Sequence, residues 1–446
     1  MSADCNELIE RASRIVDVAK KMGADAADVV VSEGASNSVS VRNGERENAQ
    51  ASENQGFSLR VFVGAKVASV STNDDGDVER LAERALAMAK VSPENPYASL
   101  ADSDRLARDY PDLDLHDESD VSPEALVARA LAAEEAALAV KGVSKSSGAS
   151  AGRGSVAFAL VTSGGFAGGY RRSYSSVSAS AVAGEGTAMQ RDYDYDARSH
   201  DGDLNAPEDI GRSAGERAVA RLAPRQIETR RGASVIFDRR LATSLVGHLA
   251  GAISGTAVAR KTSFLRDKLG QQVLKAGLNV IDDPRIPRGA SSQPFDGEGV
   301  SSERLAMVED GVLTQWFLST ALGRELGMST NGRGARAGNS LGASPTNLIL
   351  EPGEKSPAEL MAEIGTGLYV TELIGSGVDM VTGDYSRGAS GFWIENGEIA
   401  FPVAQLTIAG NLKSMFMAMT PASDIDRRFS VAAPSILVEG LTLAGR

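Results

Sequence analysis

The stretch "SVSVRNGEREN", residues 38–48, decides the fold of the N-terminal half. Valine alternates with serine, as in a strand with one buried face. Asn43-Gly44 then supplies two residues that accept positive φ, the signature of a two-residue hairpin turn. "ADVVVSEG" (27–34) upstream reads as a strand, and "FSLRVFVGAKVASVST" (57–72) downstream gives two more short ones. Helices flank these strands. Asn6 is placed to cap the first, with Leu8, Ala12, Ile15, Ala19 and Met22 on one face and Gly23 as its stop. "DVERLAERALAMAKV" (77–91) is the second.

Residues 92–120 are rich in Pro, Asp and Ser, lack periodicity and read as a long surface loop. Ser122, Pro123 and Glu124 open a strong helix that runs to about Val140. Strands follow over 154–196, and then the helix "PEDIGRSAGERAVARLA" (207–223). From about Gln226 the chain is β-rich. Hairpins are expected at Asp310-Gly311 in "AMVEDGVLTQWF" and at Asn396-Gly397 in "FWIENGEIAFPV", and their similarity hints at a weak internal duplication. Ser356, Pro357 and Glu359 form a capping box for a helix ended by Gly365. The expected class is α+β: an N-terminal α/β domain with an antiparallel sheet over 1–225, and a C-terminal β-rich sandwich or barrel-like domain over 226–446.

The 446 residues exceed a single ordinary core, and 42% hydrophobic with 24% charged content fits a soluble globular protein. No apolar run could span a bilayer, and the start lacks the basic and apolar regions of a signal peptide. A lone cysteine, Cys5, excludes an internal disulfide, so a cytoplasmic location is expected. The net charge of −13 argues against nucleic-acid binding, and the one basic cluster, 221–240, is short and interrupted.

Several constellations could carry chemistry. "ATSLVGHLAGA" (242–252) places His248 on a helix capped by Asp238, with the apolar stripe Leu241, Leu245, Leu249 and Ala252. A helical zinc motif needs a second ligand on the same face and a glutamate as base. Ser244, Gly251 and Ala252 cannot supply these, and no Glu occurs between Glu228 and Glu298. His248 therefore reads as a partly buried, hydrogen-bonded core histidine. "RDYDYDARSH" (191–200) would set Asp192, Asp194 and Asp196 on one face near His200, as a hard-cation site or, more simply, a solvated edge strand. "GASAG" (148–152) matches a nucleophile elbow at Ser150, with His200 and His248 following, although strand-like sequence follows the motif where a helix is required. "NGRGARAG" (331–338) reads as a flexible surface loop that could meet an anion.

Four blocks, "ISGTAVARKTSFLRDKLG" (253–270), "QPFDGEGVSSERLAMVEDGVLTQWFLST" (293–320), "TELIGSGVDMVTGDYSRGASGFWIENGEI" (371–399) and "LTIAGNLKSMF" (406–416), resemble the TldD/PmbA family in order, with likeness over essentially the whole chain. The PmbA branch, also called TldE, is the more similar. The resemblance implies a cytoplasmic metallopeptidase system, first described as modulating DNA gyrase, in which TldD and TldE chains act on small peptides as a heterodimer. TldD chains carry an H-E-x-x-x-H helix and a C-terminal cysteine as zinc ligands. On that pattern His248 takes the second histidine, while Thr243 and Ser244 replace the first histidine and the glutamate. The cysteine is absent as well.

The expectation is therefore a chain with no catalytic residue and no metal or cofactor of its own. It would complete the peptide chamber of a zinc-holding TldD-like paralogue, and be a monomer or homodimer when alone. Gly383, Asp384, Tyr385, Ser386, Arg387 and Gly388, with Asp296 and Glu298, are the expected peptide or partner contacts. A self-sufficient hydrolase using Ser150 or the Asp192, Asp194 and Asp196 site, or a gyrase- or DNA-associated regulator, are the alternatives.

Overall fold

The computed structural model describes residues 4–338 and 340–445. The hairpin at Asn43-Gly44 forms as its sequence dictates: both residues have positive φ, 55° and 77°. It joins β1 (Ala26–Arg42) to β2 (Glu45–Val63), which pair antiparallel along their whole length. With β3 (Lys66–Thr72), β4 (Val143–Thr162), β5 (Ala167–Ala183) and β6 (Gln190–Arg198) they make one sheet in the order β3-β2-β1-β4-β5-β6.

Period-two alternation gives β1 two unlike faces. Val29, Val31, Val39 and Val41 turn toward four helices. α1 (Cys5–Lys21) and α2 (Val78–Val91) cover one end, and α3 (Pro123–Leu138) and α4 (Pro207–Ala220) cover the other. α4 lies against α3 because Gly211 and Gly215 stand where a Cβ would come within 1.9 Å of Ala133 O and 2.9 Å of Ala137 O. The opposite face of β1 carries Asp28 and Val30 and meets the C-terminal half. There Phe295 packs among Phe166 (ring centroids 4.8 Å apart), Tyr110 and Tyr170. Burying one such ring stabilises the contact by about 1.5–3 kcal/mol.

The C-terminal elements are β7 (Arg230–Phe237), α5 (Arg239–Ala252), α6 (Gly255–Ala259), β8 (Val280–Asp282), β9 (Leu305–Glu309), β10 (Val312–Leu313), α7 (Thr320–Glu325), β11 (Gly334–Ala337), β12 (Ser340–Ala343), β13 (Leu348–Leu350), α8 (Pro357–Ile364), β14 (Gly367–Ile374), β15 (Asp384–Glu395), β16 (Glu398–Asn411), α9 (Leu412–Met417), β17 (Met419–Pro421), β18 (Val431–Ala432) and β19 (Ile436–Ala444). β16-β15-β14-β7-β19 close on themselves through a β16–β19 pairing, a five-stranded barrel with β17 appended to β19. A second sheet runs β10-β9-β8-β13-β18. The apolar face of α5 joins barrel residues Val235, Phe237, Leu368 and Val370 in the largest core. The class is α+β, with an antiparallel sheet carrying helices on one face and a barrel beside it.

Local signals written in adjacent residues hold. Ser122 Oγ accepts from Ala125 N, and Ser356 and Glu359 form the reciprocal capping box. Asp310-Gly311 and Asn396-Gly397 both turn with positive φ, but their hairpins lie in different sheets. Three readings are corrected. Asp4, rather than Asn6, caps α1: its carboxylate accepts from Asn6 N at 3.0 Å, and Met22 lies exposed at the helix end. Residues 92–120 lack long regular elements, but Leu113 and Leu115 are buried, and their carbonyls accept from Arg288 N and Ser173 N. The stretch 331–338 is buried over 332–334, with Arg333 fully buried and ion-paired to Asp282, and reaches the surface only at Ala337 and Gly338. No helix among the described residues is long and apolar enough to cross a membrane.

Candidate functional site

α5 starts where Asp238 Oδ1 accepts from Arg240 N at 3.0 Å, while Tyr369 Oη donates to Asp238 Oδ2 at 2.9 Å. One face of α5 is apolar and sunk in the core. The other carries Thr243, Ser244, Gly247, His248 and Gly251. Thr243 Oγ1 donates back to Arg240 O at 2.8 Å and Ser244 Oγ to Leu241 O at 2.6 Å. Both hydroxyl protons are thus spent inside the helix.

His248 is half-buried, with its ring edge-on to Tyr385 at 6.2 Å between centroids. Burial, and then the charge of Arg387, hold its basicity below that of a free imidazole. Its Nε2 is buried and has no hydrogen-bond partner among the described residues, so the expected hydrogen-bonded core histidine is corrected on this point. Beside Thr243 and Ser244 opens a cavity of about 470 Å³, walled by Tyr193, Tyr195 and Phe429 with Arg217, Arg239 and Arg428.

A zinc ion does not fit this donor set. Among the described residues no three His, Cys, Asp or Glu side chains converge, and next to His248 stand two hydroxyls already committed to backbone carbonyls. Neutral hydroxyls are poor zinc donors compared with imidazole, thiolate or carboxylate.

The remaining sequence candidates fall in four places. Ser150 sits in the middle of β4, its hydroxyl 2.8 Å from Ser178 Oγ. A flat strand cannot present the sharp strand-to-helix turn of a nucleophile elbow; His200 is engaged elsewhere, and His248 sits on α5 against Tyr385. His200 Nε2 lies 2.8 Å from Asp114 O.

Asp192, Asp194 and Asp196 do lie on edge strand β6, but they are neither solvated nor a cation site. Asp192 and Asp196 are 5% and 0% exposed. Asp192 pairs with Arg221 (3.4 Å) and Arg240 (3.5 Å), Asp194 with Arg217 (3.9 Å), and Asp196 with Arg198 (3.1 Å) and Arg428 (3.3 Å). Arginines from both halves therefore take the place of a metal.

Asp296 and Glu298 are 1% and 2% exposed, which corrects their reading as contacts for a peptide or partner. Asp296 Oδ1 accepts from Glu298 N and Val300 N, and its Oδ2 accepts from Gly334 N. Glu298 Oε2 accepts from Thr320 N at 2.7 Å, while its Oε1 is buried with no partner. Burial, and then the negative charge of Glu298, push the Asp296 carboxyl up to about 7. Burial also raises Glu298, against the pull of Arg60 and Arg336. Those arginines bracket Asp28, which Arg60 holds from β2 and Arg336 from β11 across the domain boundary, at 2.5 and 2.7 Å. The sequence singled out Asp296 and Glu298 but carried no signal that they join Asp28, Arg60 and Arg336, in a cluster whose members lie up to 308 residues apart.

In the 383–388 segment, Asp384 and Ser386 are exposed, while Gly383 and Tyr385 are buried. Tyr385 and Arg387 share the face of β15 that looks toward His248, and burial drives the Tyr385 phenol up to about 12.

Models of the PmbA/TldA metallopeptidase match this chain in three parts: domain 1 over residues 27–89, the central domain over 116–222 and the C-terminal domain over 229–445. The chain is 39% identical to the metalloprotease PmbA of Escherichia coli O157:H7, over 95% of this chain and 93% of that one. It is 37% identical to a metalloprotease PmbA homolog of Haemophilus influenzae, over 100% and 98%. The crystal structure of a protein from Bacteroides thetaiotaomicron, described there as a candidate modulator of DNA gyrase, superposes with a TM-score of 0.91 at 27% identity and covers both chains fully. With its barrel, its α5 helix and its three matched domains in order, this chain belongs to the PmbA/TldD metallopeptidase family.

Proposed function

We propose that this chain is the zinc-free, TldE-type subunit of a cytoplasmic two-chain peptidase that processes or degrades small unfolded peptides. One observation carries the reading: on α5 the hydroxyls of Thr243 and Ser244 are turned onto helix carbonyls, leaving His248 without a second ligand or a base. Metal and base would come from a TldD-like partner in a heterodimer. This chain would complete the chamber, with the 383–388 segment facing peptide or partner, and an extended peptide would add to its β-rich walls by main-chain hydrogen bonds. Alone it would be a monomer or homodimer. The net charge of −13 supports a role away from nucleic acid.

The test is to purify the chain alone and mixed with a relative that carries an intact H-E-x-x-x-H helix, and to measure bound zinc and hydrolysis of unstructured peptides. Activity arising only on mixing, with zinc only in the partner, is the expected result. Metal-dependent turnover by this chain alone overturns the proposal.

A further inference from the structure

We propose that His248, Tyr385 and Arg387 form a pocket for the C-terminal carboxylate of a short peptide. This rests on the reading of the chain as a peptide-handling subunit. Three buried polar atoms on this patch have no protein partner among the described residues: His248 Nε2, Tyr385 Oη and, two residues on along the same face of β15, Arg387 Nε; the His248 and Tyr385 rings lie 6.2 Å apart. A single buried polar group left unpaired costs about 1–3 kcal/mol, so three in one place mark a site built for something else. Their chemistry says what. Guanidinium only donates, and a phenol and an imidazole N–H donate readily. Arg387 has no ion pair among the described residues, unlike the arginines around β6, and its charge reaches both His248 and Tyr385. Tyr385 is 1% exposed, so its hydroxyl is held in place by packing. A donor-rich, acceptor-poor pocket around an unpaired cation fits a carboxylate.

The surroundings favour a chain terminus over an acidic side chain. Along the outer face of α5, Gly247 leaves open space where a Cβ would find no atom within 4 Å. One helical turn, about 5.4 Å, separates His248 from Ser244, which lines the 470 Å³ cavity. An extended chain covers that in about two residues. A carboxylate at Arg387 therefore brings the side chain two positions earlier to the aromatic wall of Tyr193, Tyr195 and Phe429.

The test measures fluorescence polarisation with the full-length chain. The probe is a fluorescein-labelled glycine-glycine-phenylalanine-alanine-alanine peptide, as free acid, as C-terminal amide, and as an amide ending in glutamate. The free acid is expected to bind about tenfold more tightly than either amide, the scale of one charge-assisted contact. Arg387→Gln should bring that ratio to about one, Arg387→Lys should keep part of it, and Glu79→Gln, exposed on α2 in the other half of the chain, should leave it unchanged. Circular dichroism melts establish that each variant is folded. Equal binding of acid and amide, a ratio that survives Arg387→Gln, a glutamate amide matching the free acid, or no binding of any probe would each overturn the pocket. A mixed complex that hydrolyses acid and amide peptides alike overturns the pocket and leaves the subunit reading standing.

Discussion

Replacing Glu298 with glutamine should make the protein less sensitive to alkaline pH. Glu298, Asp296 and Asp28 are all buried, against two arginines, Arg60 and Arg336. Three full negative charges cannot be balanced there by two arginines, so the Asp296/Glu298 pair holds a proton to higher pH than free carboxyls do. Asp296 accepts from three backbone N–H donors, while Glu298 Oε1 is buried with no partner among the described residues, so the two carboxyls titrate as a pair. An acid whose folded pKa lies above its unfolded value binds more protons when folded. Stability is therefore greatest below the unfolded value and falls as pH rises toward the folded one. The window runs from 3.8 to about 7 for Asp296. At about 1.4 kcal/mol per tenfold in proton affinity, complete ionisation costs the fold at most about 4 kcal/mol.

Glutamine keeps an oxygen for Thr320 N and removes the surplus charge. Denaturant unfolding of wild type and Glu298→Gln at matched pH values from 5 to 8.5 checks this, because the difference between them cancels other titrating groups. The variant should gain about 1–3 kcal/mol relative to wild type between the ends of that range. A difference that stays constant with pH refutes the reasoning.

Three further outcomes follow from the packing and pairing. Arg336→Ala leaves Asp28 buried with one arginine and should lower stability by about 3 kcal/mol, measured by denaturant unfolding at pH 7. Gly211→Ala drives a methyl into Ala133 O and should cost more than about 2 kcal/mol, with the loss read from the thermal midpoint. Ser150→Ala should change peptide hydrolysis by the mixed chains by less than about twofold, since Ser178 Oγ at 2.8 Å is its hydroxyl's one partner among the described residues, and should lower stability by no more than the about 1 kcal/mol of one neutral hydrogen bond.

What the sequence disclosed depended on distance along the chain. Asn43-Gly44, Ser122-Pro123 and the Ser356 capping box bond to neighbours within a few residues, so adjacent letters suffice. Even at that range a choice between two caps can go astray, as Asp4 shows against Asn6. The Asp192, Asp194 and Asp196 run looked like a solvated edge because its counter-ions, Arg221, Arg240 and Arg428, arrive from elsewhere in the chain. Arg333 looked like part of a flexible loop for the same reason, with Asp282 lying 51 residues before it. His248 was legible as a residue without ligating neighbours. That its Nε2 would find no partner was not, since Tyr385 and Arg387 come from a strand more than a hundred residues later.

The arginines that answer β6 make the domain boundary porous to stability. Asp192 and Asp196 belong to the first half of the chain by sequence, but Arg240 and Arg428 belong to the second. Cutting the chain near residue 225 would not release two self-contained bodies. It would leave acids shaped for burial facing water on one fragment and displaced arginines on the other. The two halves are consequently bound to melt as one, and an insertion at their junction would be felt as a fault in folding before it was felt as a change in reach.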